Sequence, residues 1–127
     1  MRLKLTKNLD VIRTKTHERI DLEAGEQRKR FITVVPGQEM VYQLKLEEAR
    51  KVLEEKASTK SVPHIAAEAK LAGRSLKQQA ELVTAKAREW AEASARIELI
   101  RMCAKRKVEE ASTPAELEAA AEVSWAW

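Results

Sequence analysis

Apolar positions return at steps of three and four along most of the chain, and no stretch alternates long enough to read as a partnered strand. The longest such run, Arg74 to Ala111, predicts one amphipathic helix of about ten turns. Ser75 and Gln78 open it with a capping box. The Ser hydroxyl is placed to accept the backbone N–H of residue 78, and the Gln side chain to accept that of residue 75. Two rows then recur every seven residues: Leu76, Val83, Trp90, Ile97, Ala104 and Ala111, and beside them Ala80, Ala87, Ser94, Arg101 and Val108. Bulky positions face Ala-sized ones, which lets a neighbouring helix approach closely. Around the middle, Ala91, Ala93, Ala95, Leu99, Ile100, Met102 and Cys103 spread apolar character over most of the circumference. Such a helix is expected to be covered on several sides, by this chain or by another copy.

Shorter helices are predicted around it. Leu9, Ile12, Thr16, Ile20, Ala24 and Phe31 mark a first helix from about Thr6 to Arg30, with Gly25 a place where it could bend or stop. Residues 1–5 alternate apolar and basic side chains too briefly to separate a strand from a helix start. FITVVPG is β-branched and closes on Pro36 and Gly37, but with no second candidate strand it reads as an extended connector. A second helix is expected from Gln38 to Lys56, with Tyr42, Leu46, Ala49 and Leu53 inward and Glu47, Glu48 and Lys51 outward. Pro63 starts a third, with Ile65, Ala69 and Ala72 inward and Gly73 as its C-cap. Beyond the long helix, Thr113, Pro114 and Glu116 form another capping box, so a last helix carries Leu117, Ala120 and Ala121. The fold class is therefore all-α: a bundle of four to five helices around one long helix at about 75–111, in one domain spanning 1–127, with coiled-coil-like association of copies in reach. Trp90, Ile97, Tyr42, Leu46 and Leu53 are the expected core.

Composition agrees with long helices: 35% of residues are charged, 4% are aromatic, and only three Gly and three Pro break the chain. The net charge of +4 arises from 24 basic and 20 acidic side chains interspersed, so nucleic-acid binding is permitted rather than demanded. Cys103 stands alone, which excludes an internal disulfide and suits a reducing compartment. The opening MRLKLTKNLD meets polar residues too soon for a signal peptide, and no apolar run is long enough for a membrane span.

Candidate chemistry is sparse. His17 and His64 have no Cys or second His at metal-ligand spacing, and they read as surface groups. Cys103, among Ile100, Met102 and Ala104, reads as an inert buried thiol. Neighbouring glutamates such as Glu47 and Glu48 point about 100° apart on a helix, so they form solvated faces rather than acid–base pairs. No cofactor, metal or catalytic set is expected, and the chain reads as a non-enzyme. The basic triplets Arg28, Lys29, Arg30 and Lys105, Arg106, Lys107 complement helix ends or form solvated faces in preference to a nucleic-acid site. Protein-interface residues are expected at Trp125 and Trp127, large rings where chain ends usually fray, and at Leu99, Met102 and Arg101 on the long helix. Trp125, continuing the row of Leu117 and Ala121, is expected to dock on this chain's own core. Arg101, in an apolar row, is expected to mark where the stripe leaves the core or to pair with a partner's acid.

Three stretches, ITVVPGQEMVYQLKLEEARKVLEE, PHIAAEAKLAGRSLKQQAELV and RIELIRMCAKRKVEEASTPAELEAA, resemble in order and spacing small helical proteins from the tail-gene clusters of tailed bacteriophages and prophages. The chain is richer in Lys and Arg than those proteins. The resemblance implies a non-enzymatic tail accessory protein or assembly factor near the fibre or baseplate. It would contact other tail proteins or its own copies, in the virion tail or in the host cytoplasm during assembly. The alternatives are a small phage-encoded regulator that binds a host protein, and a weak nucleic-acid binder.

Overall fold

The computed structural model describes residues 2–33, 35–54 and 57–127. The described residues form five helices and no strand: α1 (Arg2–Arg28), α2 (Gln38–Glu54), α3 (Pro63–Ala72), α4 (Leu76–Glu110) and α5 (Pro114–Ala121). The all-helical bundle with one long helix is thus the architecture of the protein.

Local signals set most of the boundaries. At the start of α4 both halves of the capping box form: Gln78 N–H donates to Ser75 Oγ at 3.1 Å, and Ser75 N–H donates to Gln78 Oε1 at 3.0 Å. Gly73 ends α3 with a left-handed φ of 68°, a conformation costly to a side chain with a Cβ. The amides of Gly73 and Arg74 then satisfy the carbonyls of Lys70 and Ala69. Gly37, at φ 83°, turns the connector into α2 in the same way. At α5 the cap differs from expectation. Thr113 Oγ1 accepts Glu116 N–H at 3.1 Å, but the Glu116 carboxylate reaches one residue further back, accepting Ser112 N–H at 2.7 Å and the Ser112 hydroxyl at 3.2 Å. The Ser112 backbone bond, chiefly, holds the Glu116 carboxyl below its usual range.

Other boundaries move. α1 runs through Gly25 without stopping and takes in residues 2–5 as helix. Met1, Val34 of the connector, and Glu55 and Lys56 at the expected end of α2 lie outside the described residues. α5 ends at Ala121, so Trp125 is carried by irregular chain rather than by a continuing helical row.

The chain divides into two compact units, one of residues 1–32 and 93–127, the other of residues 33–92. The first is organised on Ile20, Ala24, Ile97, Ala104, Val108, Leu117 and Trp125, with Leu9, Ile100 and Val123 at its margin. The second is smaller, built on Ala49, Val62, Ile65 and Ala80 with Val52, Leu76 and Val83 beside them. Several expected core residues are not in either. Trp90, Tyr42 and Leu46 are half-buried, while Leu53 and Ile12 are exposed, as is Ala72 in the last turn of α3. Periodicity places a residue on the right side of a helix but cannot say how wide the covered sector is.

Candidate protein-interaction surface

In the first unit, ion pairs line the contact of α1 with the later turns of α4. Asp21 accepts Arg101 Nε and Lys105 Nζ, each at 2.8 Å, and Glu98 accepts Arg101 Nη1 at 2.8 Å and Arg28 Nη2 at 3.1 Å. The Lys105 ammonium, first, and the Arg101 guanidinium keep the Asp21 carboxyl below its ordinary value, and Asp21 in turn raises that of Arg101. Arg101 therefore has its acids within the chain and marks the edge of the α1 contact. Further along, Arg13 reaches the end of α4, donating Nη1 to the carbonyls of Val108, of Ala111 at 3.1 Å and of Glu109 at 3.3 Å. These are carbonyls that a helix C-terminus leaves without partners, and a cation there also meets the negative end of the dipole. His17 Nε2 lies 2.5 Å from Glu109 Oε1, which makes this histidine part of the same clasp.

With one side of α4 thus occupied, the opposite side is open. Leu99 is 63% exposed and Met102 58%, one turn apart on the same face, and Cys103 beside them is exposed rather than buried. Ala95 continues that face, so within this unit the later part of α4 is not covered all round. The two terminal tryptophans differ. Trp125 is buried in the first unit's core, its indole N–H donating to Glu23 Oε1 at 3.3 Å. Trp127 stays 52% exposed and stacks on Phe31 at 5.8 Å between centroids and 21° between planes, with Arg30 over the other ring partner at 5.8 Å. Leu99 and Met102 are thus brought together, Trp127 is joined to Phe31, Arg101 is drawn to α1, and the ring of Trp125 is already covered.

The basic triplets are largely engaged. Arg28 pairs with Glu98, Lys29 with Glu26, Lys105 with Asp21 and Arg106 with Glu110, while Arg30 donates to Gln27. Two shallow depressions are open to solvent. One, of about 370 Å³, is lined by Lys107, Glu110, Glu116 and alanines. The other, of about 270 Å³, lies along Lys45, Glu68, Gln79 and Val83, where Lys45 already pairs with Glu68 at 2.5 Å and Gln79 donates to the same carboxylate at 3.0 Å. Among the described residues no three His, Cys, Asp or Glu side chains converge as metal ligands, and no helix is long and apolar enough to cross a membrane.

One charged residue departs from the outward position its pattern suggests. Glu48 is 6% exposed, its carboxylate accepting His64 N–H at 2.7 Å, Ile65 N–H at 3.3 Å and lying 2.5 Å from His64 Nδ1. It caps the first-turn amides of α3 from α2, in place of a side chain at the N-cap residue Val62. A signal existed: Val62 precedes Pro63 and offers no side-chain acceptor, so the first amides of α3 required one from elsewhere. The chain matches no model of a known protein family, no curated protein and no solved structure.

Proposed function

We propose that the protein is a non-enzymatic accessory component of a bacteriophage tail, at the fibre or baseplate, that works by presenting helix surface to other proteins. The observation that carries the contact part of this reading is the open face of α4. There Leu99 and Met102 stand in solvent on a helix whose opposite side buries Ile97, Ala104 and Val108. Exposed large apolar side chains grouped on one face cost solubility unless something covers them. The tail assignment is supported by the resemblance of the three stretches described above. Nucleic-acid binding is disfavoured because four of the six cations in the two basic triplets pair with neighbouring acids, which weakens both clusters as phosphate sites.

The experiment is mass spectrometry of purified phage particles from a strain carrying the gene. The protein is expected among the tail components at fixed stoichiometry. Its absence from particles, with recovery in a soluble complex with a host protein, would replace this reading with that of a phage-encoded regulator.

A further inference from the structure

We propose that the depression of about 270 Å³ on the second unit takes up the carboxylate of an acidic side chain that a partner protein presents beside apolar residues. The proposal rests on the reading above only in drawing that side chain from another protein. Every residue of the site falls within residues 33–92.

One corner of the chain builds the site. Gly73, left-handed at φ 68°, turns the chain from α3 into α4 and brings Arg74 back over the first turns of α4. There Gln79, Leu82, Val83 and Lys86 succeed one another at steps of three and four and share one face of the helix. Gln79 is 5% exposed and is used at both ends of its amide: Oε1 accepts Arg74 Nη1 at 3.1 Å, and Nε2 donates to Glu68 Oε2 at 3.0 Å. The other Glu68 oxygen lies 2.5 Å from Lys45 Nζ, so the one acid of the wall already has its cation. Arg74 has only a neutral amide as partner. Among the described residues no carboxylate pairs with Arg74 or with Lys86. The rest of the wall is apolar, with Leu71 90% exposed and Leu82 and Val83 half-buried.

Two uncompensated cations on one wall select an anion. A guanidinium held at one N–H by Gln79 keeps its other N–H groups for a planar carboxylate, which it can meet in bidentate fashion. The apolar wall favours a carboxylate on an aliphatic stem over a phosphate, whose charged oxygens would be pressed against leucine and valine. The volume is below the roughly 300 Å³ at which pockets begin to enclose a drug-sized ligand, and the depression is open to solvent. It therefore suits a side chain inserted from a protein surface better than a small molecule engulfed whole. Because Gln79 orients Arg74 beforehand, less side-chain freedom is lost on binding.

The test is a titration of the full chain with an end-blocked pentapeptide of alanine, leucine, glutamate, leucine and alanine, in that order, followed by NMR shifts of amides and methyl groups. Saturable shifts are expected at Leu71, Arg74, Gln79, Leu82 and Lys86. The counterpart with glutamine at its centre is expected to bind at least about fivefold more weakly. Arg74→Gln is expected to weaken the glutamate peptide at least about fivefold, and Lys86→Gln about two- to fivefold. Lys86 is exposed on the helix, so its variant keeps the test decisive should Arg74→Gln disturb the corner. Equal binding of the two peptides, shifts scattered away from these residues, or an affinity left unchanged by Lys86→Gln would overturn the proposal. Inorganic phosphate binding there more tightly than the peptide would overturn it too, leaving a simple anion site. A protein found in purified particles that fails the titration loses this site and keeps the tail reading. One that binds the peptide but is absent from particles does the reverse.

Discussion

In the unit formed by α1, α5 and the later turns of α4, nine side chains are buried together, among them Ile20, Ile97, Leu117 and Trp125. The unit of α2, α3 and the earlier turns of α4 groups only four in its apolar cluster, two of them alanines. Their polar interactions differ correspondingly. The larger core is edged by the ion pairs of Asp21, Glu98, Arg101 and Lys105, in which Asp21 and Glu98 remain 45% and 43% exposed. Such pairs are worth less than about 1 kcal/mol each, so they align α1 on α4 without carrying the unit. The smaller core instead surrounds a buried carboxylate, Glu48, bonded to two backbone amides and an imidazole. Removing a partner of that kind strands buried donors that water reaches poorly. The comparison teaches that the same all-helical chemistry is stabilised mainly by apolar packing in one region and, in the other, by a smaller apolar cluster together with polar contacts such as the Glu48 cap.

The largest expected effect lies in the packed region. Ile97, fully buried, is predicted to cost about 2 to 5 kcal/mol when changed to Ala. Chemical denaturation gives the size, and hydrogen exchange is expected to show protection lost first in α1 and α5. A loss below about 1 kcal/mol would mark a surface site and dissolve the contrast. Next comes Glu48→Ala, predicted to cost about 1 to 3 kcal/mol through the unmatched amides of His64 and Ile65. Its exchange signature should be confined to the first turn of α3. Protection lost equally in α1 and α5 would show that the two regions unfold together.

Gly25→Ala should act in the opposite direction. The glycine is inside α1, its φ is not positive, and a Cβ there meets nothing within 4 Å. The substitution is therefore predicted to stabilise by about 0.5 to 1 kcal/mol, read as a raised melting temperature. The smallest effect is titration of Asp21. Its folded-state pKa is depressed below the ordinary 3.8, so its contribution is fully present above that value and is lost as pH falls from there through the lowered folded value. Because Asp21 is nearly half exposed, the loss should stay under about 1 kcal/mol. Asp21→Asn should remove this segment of the pH–stability curve, and a curve identical to wild type would detach Asp21 from the stability of its unit.

The exposed apolar face of α4 was partly legible in the sequence. Leu99 and Met102 stand out because apolar residues on the long helix exceed what one partner can cover. Arg101 and Trp125 were found as unusual residues, but their partners Asp21 and Glu23 lie 80 and 102 positions away, and no periodicity links them. Cys103 and Glu48 exchanged roles with expectation, the thiol exposed and the carboxylate buried. Residue type sets only the cost of burial, and packing decides whether that cost is met.

What the sequence determined by itself is where α4 and α5 begin and where α3 ends. Ser75 with Gln78, Thr113 before Pro114, and Gly73 act over three or four residues, a distance at which backbone geometry leaves the partners little choice. Only the tertiary structure decided which sector of each helix is covered. It sent Glu48 across 16 positions to cap α3 and Arg13 across 98 to the last carbonyl it clasps beyond α4, because an unmatched helix end accepts any suitable group that folding brings near. It also left Leu99 and Met102 bare on α4, since the surface a helix buries is set by the neighbours that reach it within its unit.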